Sequence, residues 1–230
     1  MSKKMMLAGL VAVGCFAFNA SAQTAAVPAE KAKVQVEATK ATVPVEAVKT
    51  ENSSPIQVGF WFDVPGYTEK YKVHGFRLGF PFSGTSMVSG FDLSLFGSHI
   101  NNLDGAQVSI GYCGTSAKSY GLQAAVGVCM NTGHFDGVQL SLFNKADVSK
   151  GWQVGGGNVT DDIDGAQVGL ANVVDKVKGF QAGIVNVVTR SIGPQIGLVN
   201  YADRSSFQLG LVNINKKSGM PFMILFNYSK

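Results

Sequence analysis

Two stretches decide how the chain is read: Gly165-Ala-Gln-Val-Gly-Leu-Ala-Asn172 and, fourteen residues on, Gly179-Phe-Gln-Ala-Gly-Ile-Val-Asn186. The same pattern runs outward in both directions. Its anchors are Gly75, Gly90, Gly105, Gly121, Gly137, Gly151, Gly165, Gly179, Gly193, Ser206 in the same role, and Gly219, so eleven units of 13 to 16 residues fill the region after Pro55. Two places after the anchor stand Gln107, Gln123, Gln139, Gln153, Gln167, Gln181, Gln195 and Gln208. Seven places after it, in the later units, stand Asn144, Asn158, Asn172, Asn186, Asn200 and Asn213. A fixed period of this kind is the mark of a repeat architecture.

Side chains within a unit alternate, and a period of two marks a strand, because successive Cβ atoms point to opposite faces. One face carries Ala166, Val168 and Leu170, then Phe180, Ala182 and Ile184; the other carries Gly165, Gln167 and Gly169. Polar segments such as Asp161-Asp162-Ile163-Asp164 and Lys216-Lys217-Ser218 have the composition of chain reversals. With an opening strand over Ile56 to Val64, the count is twelve strands. Glycine inside a strand is costly, so the repeated glycines point to an interior too crowded for a side chain or to closely approaching backbones. The glutamines are then placed to form an amide ladder, each offering two donors and an acceptor to its neighbour.

Two topologies share this pattern, and both are all-β. In a closed antiparallel barrel each unit is one strand, long enough when tilted to cross an apolar layer, with the apolar face outward and the Gly/Gln face lining the lumen. In a parallel β-solenoid equivalent residues stack coil on coil. For the solenoid speak Cys113 and Cys129, which share a phase eight places after their anchors and would lie within disulfide reach if stacked. Connections that do not alternate between long and short also favour it. Against it, a nine-residue strand and a five-residue turn do not close a coil of fourteen. The barrel is the expected fold. Arg77 and Asp92 hold the position of Gln in the first units; across a hairpin closed near Gly84 they would form an ion pair in place of one rung of the ladder.

Before the repeats, Lys3 and Lys4, the apolar run Met5 to Phe18 and the small residues Ala20-Ser21-Ala22 read as a signal peptide over 1–22, with Gln23 as the mature start. An alternative places lipid on Cys15. Residues 23–55 have no aromatic residue and balance four Lys against four Glu, the composition of a disordered linker. Residues 56–230 are the β-repeat domain. No apolar run reaches the roughly 18 residues of a transmembrane helix.

The unit Gly193-Pro-Gln-Ile-Gly-Leu-Val-Asn200, repeated over Val73 to Tyr228, resembles the surface-repeat proteins and lipoproteins of Gram-negative bacteria. The resemblance implies export and a place in the cell envelope, and it supplies no catalytic residue to carry over. The aromatic run Phe222 to Tyr228 is similar to the terminal strand of outer-membrane barrels, although the chain ends in Ser229-Lys230.

Other chemistry finds little footing. His74, His99 and His134 fall in different units, Gly155-Gly156-Gly157 lacks the Lys-Ser/Thr and helix of a phosphate loop, and the acids at 161, 162 and 164 do not recur in other units. From Ile56 onward 13 Lys/Arg stand against 11 Asp/Glu without forming a stripe, so nucleic acid is not an expected partner. No enzyme, metal or cofactor is expected. The expected function is that of an exported envelope protein associated with outer-membrane lipid. The alternative is a secreted solenoid whose Gly/Gln face recognises a glycan or a protein.

Overall fold

The computed structural model describes residues 53–61 and 71–228; the signal peptide and most of the linker, through residue 52, lie outside them. The strands are β1 (Ser53–Phe60), β2 (Lys72–Phe80), β3 (Phe82–Ser94), β4 (Gly97–Ser109), β5 (Tyr112–Thr115), β6 (Ser119–Ala125), β7 (Val128–Asn215) and β8 (Phe222–Tyr228). Every pairing from β1 to β7 is parallel, and only β8 runs antiparallel. The register joins each anchor to the next: Gly75 to Gly90, Gly90 to Gly105, Gly105 to Gly121, Gly121 to Gly137.

The all-β expectation holds, and the barrel does not. Each unit returns to lie directly above the one before, which makes a β-solenoid of about ten turns. Of the polar segments expected to reverse the chain, Lys216-Lys217-Ser218 does form a turn, whereas Asp161 to Asp164 are themselves extended and paired. Asp161 to Asp164 belong to the 88 residues of β7, which is continuous because nearly every residue bonds to the coil before or after it. The eleventh unit does turn back: β8 lies antiparallel along Phe207 to Ile214 and covers the edge of the last coil. At the other end β1 spans Ser53 to Phe60, and the stretch of the expected strand from residue 62 to Val64 lies outside the described residues.

A coil of fourteen closes without a separate turn because its corners are built into the strand. In the unit starting at Gly179, the buried side chains are Gln181, Asn186, Val188 and Ser191. Alternation slips where two successive residues both point outward, at Ile184-Val185 and at Thr189-Arg190. The third bend falls at the anchor glycine. Nine anchors, Gly75 through Gly193, have φ between 113° and 151°, a region L side chains rarely adopt. Space excludes a side chain there as well. A Cβ on Gly179 would overlap the carbonyl oxygen of Gly165 one coil earlier, and the same holds from Gly90 onward. The second glycine column, Gly169, Gly183 and Gly197, is confined by the preceding carbonyl and by the Asn172 and Asn186 amides.

The interior has two chemistries. Gln and Asn fill one part. Ile163, Val174, Val177, Val188 and Ala202 fill the rest in the later coils, and Val73, Val88, Ile100 and Leu103 do so in the earlier ones. The outer surface is reversed: outside the amides it is apolar, and outside the aliphatic cluster it carries Asp162, Asp164, Lys176, Lys178 and Arg190.

Replacing Gly179 by Ala imposes both a forbidden φ and a backbone overlap, so it lowers the unfolding free energy by more than about 2 kcal/mol. Gly219→Ala, with nothing within 4 Å of the new methyl, leaves it within about 0.5 kcal/mol. Chemical denaturation followed by circular dichroism measures both.

Candidate docking face and the amide ladders beneath it

Along the interior the glutamines form one continuous column. Gln123 Nε2 donates to Gln107 Oε1 at 2.8 Å, Gln139 to Gln123 at 3.0 Å, Gln153 to Gln139 at 2.7 Å and Gln167 to Gln153 at 2.8 Å. Gln181, Gln195 and Gln208 continue it at 2.9, 3.0 and 2.9 Å. These bonds all point toward the N-terminus. The asparagine column points the other way: Asn144 Nδ2 donates to Asn158 Oδ1, Asn158 to Asn172, Asn172 to Asn186, Asn186 to Asn200 and Asn200 to Asn213, all at 2.7 to 2.8 Å. Each of these donors also reaches a backbone carbonyl of the next coil, such as Ala182 O from Asn172. The two chains of amide dipoles oppose each other. Buried amides cost free energy unless paired, and stacking at one coil's spacing pairs them.

At the N-terminal end an ion pair replaces two rungs. Arg77 Nη1 donates to Asp92 Oδ1 at 2.7 Å with both side chains wholly buried. They lie directly in register on parallel strands, where a hairpin would have set them diagonally. Arg77 also donates to Gln57 Oε1 at 3.0 Å and to Gly84 O at 2.8 Å, and Asp92 accepts from Ser98 Oγ. Ser98 in turn accepts from Gln107 Nε2 at 2.6 Å, so the polar column is continuous from Gln57 to Gln208. The column ends on Gln208, whose Oε1 has no partner among the described residues.

Cys113 and Cys129 are exact neighbours in the parallel register, both buried and both thiols. One unit closes one coil, which sets the two side by side. They stand in a column with Ser83 and Ser98, where coils of 15 and 16 residues turn a different position inward from the one Asn holds later. A hydrogen bond from Cys113 pulls the Cys129 thiol down, while that bond and burial push Cys113 up.

The histidines do not converge. His99 meets the Tyr112 hydroxyl at 3.2 Å, and burial lowers its pKa. His134 lies 3.3 Å from Asp136. Among the described residues no group of three His, Cys, Asp or Glu is placed to hold a metal. The Asp161 to Asp164 segment carries surface ion pairs instead, Lys176 to Asp162 at 3.1 Å and Lys178 to Asp164 at 3.4 Å.

No protein-family model, curated protein or solved structure matches the chain. The candidate site therefore rests on the surface itself. The Gly/Gln face proposed for recognition is sealed inside: Gln107 through Gln208 are fully buried. What faces outward is the apolar side of the same strands. Two columns run the length of the solenoid, one through Leu78, Leu93, Leu140, Ile196 and Leu209, the other through Phe80, Leu95, Leu142, Leu170 and Leu211. No charged residue interrupts either column. Leu170 is 62% exposed and Leu142 56%. β8 extends the face, with Phe226 beside Leu209. Trp152 and Phe180, two coils apart, meet edge to face at 5.9 Å and cover Ala166 between them. Sequence alternation separates the two sides of each strand, but only the closed coil shows that the apolar one remains uncovered.

Replacing Gln181 by Leu strands the Oε1 of Gln167 and the Nε2 of Gln195, costing about 2–6 kcal/mol at about 1–3 kcal/mol for each unpaired group. Gln208→Leu strands the Gln195 oxygen but removes an oxygen already unpaired, so it costs about half as much. Urea unfolding of the two variants tests the ordering.

Proposed function

We propose that this is an exported β-solenoid binding module that engages a protein partner through its flat apolar face. One observation carries the reading: an uncharged apolar strip runs outside about ten stacked coils, while the ionic side chains of the later coils lie on another side. Contiguous exposed apolar surface of this extent marks an interaction site. A protein surface suits it better than a glycan, because sugars need hydrogen-bonding groups and the amides beneath the face are consumed in their own ladders. Export rests on the signal-peptide reading of residues 1–22 and on the resemblance to surface-repeat proteins of the cell envelope.

Photo-crosslinking in cells tests this directly. A benzophenone side chain at Leu198, on the apolar face, gives a discrete protein adduct, and one at Lys176, on the charged side, gives none. Adducts to lipid alone, or no adduct at Leu198, contradict the proposal.

A further inference from the structure

The apolar face has a period, an area and a distribution of bulk, and together these identify an occupant. We propose that it is a second copy of this chain, packed face to face about a two-fold axis perpendicular to the solenoid. The inference rests on the docking reading above and narrows it.

Spacing is the first ground. Coils stack at the interstrand distance of about 4.8 Å, so outward side chains form rows at that interval. Two surfaces interdigitate over their whole length only if their rows share a period. A second copy has the same period by construction, whereas a helical surface, at about 5.4 Å per turn, drifts out of step within a few coils. Face-to-face sheet packing at about 10 Å between sheets is the geometry such surfaces adopt.

Area is the second. About ten coils at roughly 4.8 Å, each presenting about five residues of roughly 3.3 Å, give a face of about 800 Å². A stable interface of standard size takes about 800 Å² from each partner. With no charged residue in the columns, two copies meet without like charges opposed or ionic groups desolvated.

Bulk is the third, and it sets the direction. Large aromatic rings gather at the N-terminal end, where Phe60, Phe80 and Phe96 are about half exposed and Phe76 stacks on Phe91 at 5.6 Å. Near the C-terminal end a recess lies beside the exposed rings of Phe222, Phe226 and Tyr228 on β8. There Ala182, Gly183, Gly197 and Gly210 floor a groove of about 500 Å³ walled by Leu198 and Leu225. A perpendicular two-fold axis sets the first coils of one copy against the last coils of the other, bringing rings to groove at both ends. Such an isologous contact closes on itself and leaves no free end to propagate.

Sedimentation velocity of the intact protein is the test. The account predicts a particle of twice the chain mass at micromolar concentration. Leu142→Glu, near the middle of the face, sets two carboxylates against each other and weakens association at least about a hundredfold. Lys176→Glu on the charged side leaves it unchanged. Should Leu142→Glu fail to keep its circular-dichroism spectrum, benzophenone at Leu198 in the purified protein replaces it, with an adduct of twice the chain mass expected. A monomer throughout the micromolar range, or a dimer indifferent to Leu142→Glu, overturns the inference. If a discrete adduct of another mass then forms at Leu198 in cells, the docking reading survives without it; if none forms, both fall.

Discussion

The fold depends on how closely one coil can lie on the next. Parallel strands sit about 4.8 Å apart, and at the anchor column that distance places the carbonyl of one glycine where the Cβ of the following anchor would be. At the nine anchors from Gly75 through Gly193 only glycine fits, and only glycine adopts the positive φ that bends the chain there at no steric cost. From this contact follow the short coil, the in-register stack and the alignment of every equivalent side chain. The cost of so many strand glycines is offset because each one permits a full coil of backbone hydrogen bonds.

Once equivalent residues are stacked, an interior amide is no longer a liability. A lone buried Gln would leave donors and acceptors unpaired, whereas Gln on Gln at one coil's spacing satisfies both neighbours, and Asn on Asn does the same with a carbonyl added. The polar column also fixes register, since a slip of one residue would turn every Gln outward and every Leu inward. The wall above the amides is consequently apolar on its solvent side, the reverse of an ordinary sheet over a hydrophobic core. That reversal leaves the protein with a face to cover, and the functional reading grows from it.

Much of this was legible in the residues. The period, the anchor glycines, the alternation, the placing of Leu and Ile opposite Gln, and the shared phase of Cys113 and Cys129 all follow from spacing along the chain. The partner of each unit does not. Pairing with the next unit in the same direction or in the opposite one gives identical alternation, and the choice turns on whether fourteen residues can close a ring. They close through bends that leave little trace in composition: Ile184-Val185 reads as continuing strand, yet both residues point outward at a corner. Conversely, Asp161 to Asp164 read as a loop because they are polar, yet they are extended, with their charges outside and Ile163 packed inside.

The central claim is that unit lies on unit in parallel. Spin labels at Asp164→Cys and Lys178→Cys, in a chain with its native cysteines replaced by serine, measure it. These two exposed residues occupy the same position in successive units. Stacked coils set their backbones about 5 Å apart, which predicts strong dipolar broadening between the labels. Antiparallel strands would place them at opposite ends, and a distance near 30 Å by pulsed electron paramagnetic resonance would contradict the account.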